Sequence, residues 1–122
     1  MKPKKTGFSR IIQATRCSIA GFRLAWSGEA AFRQEIYVVI PLICLSIWFP
    51  VSAVEHLLLV GSLILVLVVE LLNSAIEAAI DRVGPEWHEL SGRAKDLGSA
   101  SVLLCIILAV LIWIVIIVDV AL

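Results

Sequence analysis

The chain has 122 residues, 61% of them hydrophobic and 16% charged, with a formal net charge of zero. Ordinary soluble domains carry about 25% charged residues, so this composition points to a membrane protein and excludes a separate soluble catalytic domain. At about 20 residues per span, the length leaves room for about three spanning helices plus an appendage.

The N-terminus, MKPKKTGFSR, is basic, but no continuous apolar core or small-residue cleavage site follows it, and a cleaved signal peptide is not expected. Residues 6–28 read as an amphipathic helix. At about 100° per residue, Phe8, Ile11, Ile12, Ile19, Phe22 and Trp26 share one arc, while Arg10, Arg16 and Arg23 lie outside it. An aromatic-bearing apolar face opposite arginines suits a helix lying in the headgroup plane; docking on a protein partner is the alternative.

The first span is expected over about 30–50, its apolar core reading IYVVIPLICLSIWFPV, with Pro41 in mid-span as a possible kink. The second is expected over about 54–82, roughly 29 residues or ~43 Å of helix, which outreaches a ~30 Å hydrocarbon core. Its last third therefore reaches one interface, and Gly84-Pro85 is a natural stop. PEWHELSGRAKD is the only sizeable polar loop, and the third span is expected over about 97–120. The fold expected is an all-α membrane protein of a single domain, residues 1–122: a surface helix followed by three transmembrane helices.

Positive residues accumulate in cytoplasmic loops. Seven of the ten Lys and Arg lie between Lys2 and Arg33, and the others are Arg82, Arg93 and Lys95. The N-terminal region and the 82–96 loop are thus expected inside, the 51–56 turn and the C-terminus outside. Cys17, Cys44 and Cys105 have neither CxxC nor metal-like spacing, so no disulfide framework or zinc site is expected.

Within one of the most apolar stretches, VELLNSAIEAAIDRVG, stand Glu70, Asn73, Glu77 and Asp81. Their spacing of three, four and four confines them to about 80° of a helical wheel, and from Asp81 to Glu70 the stripe climbs about 17 Å into the membrane border. A carboxylate in a span costs several kcal/mol and is a functional candidate by default. Pairing with an arginine or service as helix glue is the bland reading for Glu70, solvation that for Asp81, and interhelical hydrogen bonding that for Asn73.

A second polar cluster, HELSGRAKDLGSA, sets Lys95, Asp96 and Ser99 at the start of the third span, on the same side of the membrane. With Arg10 and Glu29, this gathers cations, carboxylates and a hydroxyl at one border. That inventory suits phosphoryl transfer, which needs charge neutralisation, positioning and a proton acceptor. Glu29 and Glu77 are hard oxygen ligands of the kind Mg²⁺ prefers; Lys95 and Arg10 suit phosphates; Glu70, the deepest, is the candidate general base. There is no GxxxxGK[ST] loop and no strand-linked GxGxxG. Spacing alone therefore indicates a polar cytoplasmic-side site without identifying ATP.

The segments EAAFRQE, VELLNSAIEAAIDR and HELSGRAKDLGSA closely resemble the bacterial membrane-integral diacylglycerol kinases, and the resemblance spans most of the chain. It implies phosphorylation of diacylglycerol by MgATP, giving phosphatidic acid and ADP for phospholipid metabolism. It also implies a homotrimer in the bacterial inner membrane, with the N-terminus cytoplasmic and the C-terminus periplasmic. By matching positions, Glu70 resembles the proton acceptor, which also meets the lipid alcohol, Asn73 its active-site neighbour, and Glu29 and Glu77 the metal-linked carboxylates. Arg10, Glu29, Glu77, Glu86, His88, Lys95 and Asp96 resemble the nucleotide contacts; Ser99, Arg33 and Trp113 resemble positions along the lipid's path. Cys17 stands where the family carries an aromatic. Membrane lipids are expected partners and nucleic acid is not.

Three other readings compete. A polyprenol kinase, acting for example on undecaprenol, would share the chemistry and differ in acceptor. A small ion-coupled transporter would also use a membrane glutamate, but it needs carboxylates reachable from both sides, whereas only Glu55, His56 and Asp119 look outward. A non-catalytic adaptor binding anionic lipids leaves Glu70 and Glu77 unexplained.

Overall fold

Helical periodicity from one end of the chain to the other becomes four helices in the computed structural model, which describes residues 6–122: α1 (Gly7–Gly28), α2 (Ala30–Ser46), α3 (Ala53–Val83) and α4 (Glu89–Ala121). Among the described residues there is no strand. The order is the expected one, but two boundaries differ.

The surface helix forms as its amphipathic pattern predicts, and only Ala25 of its 22 residues is buried. Phe8, Ile11, Phe22 and Trp26 stay exposed, an apolar face offered to a lipid or protein surroundings. At Glu29 the backbone becomes extended (φ −119°, ψ 103°) and the chain turns into α2. Arg33 secures this corner: its Nη1 donates to the carbonyls of Trp26 at 2.7 Å and Ser27 at 3.2 Å, acceptors that the end of α1 leaves without helical partners.

The helix in the expected first span ends at Ser46 and continues through Pro41 without a break. Its 17 residues cover about 25 Å, short of a ~30 Å hydrocarbon core. The early end has a local cause: Pro50 disfavours helical backbone at Phe49, and the chain instead makes tight turns, with Val51 N donating to Phe49 O at 2.9 Å. A capping box starts α3, in which Ser52 Oγ accepts from Glu55 N and Glu55 Oε1 accepts from Ser52 N, each at 3.2 Å. Among the described residues two helices, α3 with 31 residues and α4 with 33, are long and apolar enough to cross a membrane.

Gly84 (φ 147°) ends α3 as expected, a backbone conformation that glycine adopts without a Cβ clash. The polar loop, however, is only residues 84–88, because α4 begins at Glu89, eight residues before the expected start of its span. His88 accounts for this: its Nδ1 accepts from Leu90 N at 3.0 Å, satisfying a first-turn donor. Glu89, Leu90, Arg93, Ala94 and Lys95 are good helix formers. Lys95 and Asp96 therefore stand on a rigid helix rather than in a loop.

Helices α2, α3 and α4 share one core, in which Val39, Leu59, Leu63, Trp113 and Ile116 are buried together. Trp113 is locked there, its Nε1 donating to Leu59 O at 3.1 Å and its ring edge-on to Phe49 with centroids 6.0 Å apart. Leu103, Leu104, Leu111, Ile114 and Val115 on α4 remain exposed, so this helix is apolar on its outer face as well as on the face packed in the core.

Candidate active site

One helix carries the centre of the site. Glu70, Asn73, Glu77 and Asp81 are all on α3, and their helical register delivers the expected stripe. Its depth profile is graded: Glu70 and Asn73 are buried, Glu77 is half-buried and Asp81 is exposed. Glu70 is only 6% exposed although no arginine pairs with it among the described residues.

Other acidic groups converge on it. The carboxyls of Glu35, Glu77 and Glu29 all lie within electrostatic range of Glu70, and the Glu35 carboxyl meets that of Glu70 directly. Glu29 arrives from the α1–α2 corner and Glu35 from one helical turn and a half farther along α2. Neighbouring carboxylates repel unless a cation or a shared proton intervenes, so the cluster calls for positive charge from elsewhere.

Glu35 is not among the residues expected from spacing or resemblance. It stands at the start of the apolar run of α2, and the burial argument that singles out Glu70 applies to it equally. Its Oε2 is buried with no hydrogen-bond partner. Asn73 Oδ1 is likewise buried and unpartnered, while Asn73 Nδ2 donates to Glu77 Oε1 at 3.4 Å. Polar atoms in this state are rare in folded proteins and mark a place where a ligand, water or ion completes the bonding.

The second expected cluster stands beside the first. Lys95 Nζ lies 2.9 Å from Asp81 Oδ1, and Gly98 sits directly against Asn73. The first turns of α4 thus run level with the stripe. Asp96 and Ser99 are exposed on this part of α4. Arg10 on α1, and Glu86 and His88 in the 84–88 bend, are exposed too. Among the described residues no side-chain hydrogen bond or ion pair ties Arg10, Glu86, Asp96 or Ser99 to the carboxyl cluster within one chain. His88 has its role as a helix cap.

Two hollows flank the cluster. A cleft of about 480 Å³ separates α1 from α3, with Ser18, Ala25 and Glu29 on one wall and Ser74 and Ala78 on the other. A groove of about 490 Å³ runs between α2, α3 and α4, apolar along Val39, Val66, Ala109 and Trp113, with Glu35 and Gln34 lining it too. Trp113 lies by Leu59, about 16 Å from the level of Glu70 along α3. Arg33 is engaged at the α1–α2 corner.

The carboxylates are oxygen donors of the kind hard divalent cations take. Among the described residues no three His, Cys, Asp or Glu are gathered tightly enough to cage an ion unaided. Mg²⁺ needs no such cage; it binds through one or two carboxylates, with phosphate oxygens and waters filling the octahedron. Glu29 and Glu77, both half-buried, fit that requirement.

Residues 16–117 match the prokaryotic diacylglycerol kinase family. Among curated proteins, the diacylglycerol kinase of Escherichia coli K12 is 54% identical over 113 residues, covering 93% of each chain. That of Pseudomonas aeruginosa is 46% identical over 109 residues, 89% of each chain. That of Haemophilus influenzae is 43% identical over 110 residues, 90% of this chain and 93% of its own.

Proposed function

The chain belongs to the prokaryotic diacylglycerol kinase family, and from that premise we propose that it transfers the γ-phosphoryl group of MgATP to the free hydroxyl of diacylglycerol. The observation that carries the reading is the convergence of Glu29, Glu35, Glu70 and Glu77 beside Asn73, an acidic centre with an apolar groove on one side and, on the other, a mainly apolar cleft that includes Glu29, Ser18 and Ser74.

The chemistry follows from the layout. The lipid's acyl chains occupy the groove past Val39 and Trp113, with Arg33 and Ser99 nearer the headgroup, and bring the hydroxyl to Glu70. Glu70 accepts the hydroxyl proton as the oxygen bonds to the γ-phosphorus; the bond from that phosphorus to the β,γ-bridging oxygen breaks, leaving phosphatidic acid and ADP. General-base help of this kind contributes roughly 10²–10⁴-fold. Glu29 and Glu77 would hold Mg²⁺, which would supply charge neutralisation for the transferred phosphoryl group. Asn73 keeps Glu77 oriented. Lys95 and Arg10 hold phosphates, while Glu86, His88 and Asp96 contact the rest of the nucleotide.

Among the described residues Arg10, Glu86 and Asp96 have no tie to the carboxyl cluster within one chain, and the exposed apolar faces of α2 and α4 are extensive. Both observations support a homotrimer in which neighbouring subunits complete each site. The skewed placement of Lys and Arg supports insertion in the bacterial inner membrane with the N-terminus and the 84–88 bend cytoplasmic and the C-terminus periplasmic.

Purified protein in mixed micelles, given MgATP and diacylglycerol, is expected to form phosphatidic acid. Undecaprenol offered in place of diacylglycerol is expected to be a poor acceptor. Faster turnover of undecaprenol would move the assignment to a polyprenol kinase, and no phosphorylation of either alcohol would sink the kinase reading.

A further inference from the structure

Gly98 lies in the third turn of α4, buried, where that helix crosses the polar stripe of α3. A Cβ added there would run into Asn73 Oδ1 and stand 3.2 Å from Asn73 Cγ. Gly92, on the same helix, is different: a Cβ there would meet nothing within 4 Å. A mid-helix glycine is less stable than alanine, and at Gly98 the missing Cβ allows the close approach of Asn73.

The amide of Asn73 is held from two sides. Its Oδ1 rests against the backbone of Gly98 without a hydrogen-bond donor, and its Nδ2 donates to Glu77 Oε1. Backbone on both helices is fixed by helical hydrogen bonds, so a methyl group at position 98 is relieved most easily by rotating the Asn73 side chain. That rotation breaks the bond to Glu77.

We propose that Gly98 is a positioning residue: by lacking a Cβ it seats the Asn73 amide, and through that amide it aims the Glu77 carboxylate at the metal-nucleotide. The inference rests on the kinase reading and deepens it. It adds a residue with no functional group to the set that determines how tightly the metal-nucleotide is held.

A double-mutant cycle between Gly98→Ala and Asn73→Ser tests it, with kcat and the apparent affinity for Mg²⁺ as readouts, the latter taken from direct titration of Mg²⁺ into protein with ATP and no lipid acceptor, so that no turnover is involved. Gly98→Ala is expected to lower kcat at least tenfold and weaken apparent Mg²⁺ affinity several-fold, with KM for diacylglycerol nearly unchanged. Gly92→Ala is expected to match the parent. In the Asn73→Ser background, where the shorter side chain leaves room for the methyl, Gly98→Ala is expected to cost no further activity and no further Mg²⁺ affinity. Multiplicative losses in that background would overturn the proposal, as would a Gly98→Ala protein with the parent's kcat and Mg²⁺ response. Should Gly98→Ala alone fail to fold, comparing Asn73→Ser with the double variant decides by the same criterion. An inactive parent would instead defeat the kinase reading itself, so the two failures are distinguishable.

Discussion

Lys95 Nζ and Asp81 Oδ1 stand 2.9 Å apart, joining the last turn of α3 to the first turns of α4 across the 84–88 bend. Both side chains are largely exposed, so solvent screens the pair and its share of stability is small, at most about 1 kcal/mol. Its consequence is geometric: the ammonium is tethered at the rim of the carboxyl cluster.

Replacing Asp81 by Asn should therefore separate affinity from stability. The melting temperature is expected to fall by no more than a few degrees, while KM for MgATP rises several-fold because Lys95 loses its tether. Titrating ATP at constant diacylglycerol and following thermal unfolding of the same preparation checks both. An unchanged KM would mean that Lys95 reaches phosphate without Asp81.

Glu70→Gln removes the proposed proton acceptor but keeps nearly the same shape. Its kcat is expected to drop by roughly 10²–10⁴-fold with the helical content and oligomeric state retained, measured by transfer of labelled phosphate to the lipid and by circular dichroism. Glu77→Gln is expected to show its loss chiefly as weaker apparent Mg²⁺ affinity, partly recovered at high Mg²⁺.

Trp113 offers a stability test in the apolar core. Trp113→Phe deletes the hydrogen bond to Leu59 O and is expected to cost about 1 kcal/mol. Trp113→Ala also opens a cavity among Val39, Leu59, Leu63 and Ile116 and is expected to cost about 3–5 kcal/mol. Denaturation in detergent reads both, and equal losses would mean that the cavity is filled by collapse of its walls.

Mixing Glu70→Gln chains with Lys95→Ala chains tests whether sites are shared between subunits. Each variant alone is expected to be nearly inactive; co-assembled, they are expected to regain a measurable share of turnover. No recovery in proven mixed oligomers would place each complete site within one chain.

Much of this was legible before folding. The spacing of Glu70, Asn73, Glu77 and Asp81 requires one stripe on any helix, and α3 carries it. The helical periodicity from Phe8 to Trp26 likewise becomes α1. The polar segment before the third span was harder to read, because residues 89–96 are both hydrophilic and good helix formers. The histidine cap that starts α4 there is a local bond that composition does not reveal. The expected first span was overlong for a similar reason: apolarity continues to Val51, but backbone restriction before Pro50 ends α2 at Ser46.

Composition and helical spacing alone point to an all-α chain with helices apolar enough to cross a membrane and an acidic stripe along one of them, because hydropathy and register are properties of the chain itself. Only the tertiary structure decides that Glu35 meets Glu70, that Lys95 reaches Asp81 and that Gly98 seats Asn73. Those relationships depend on how α2 and α4 are rotated and shifted against α3. Side-chain packing sets that rotation at the level of single atoms, and no periodicity within one helix encodes it.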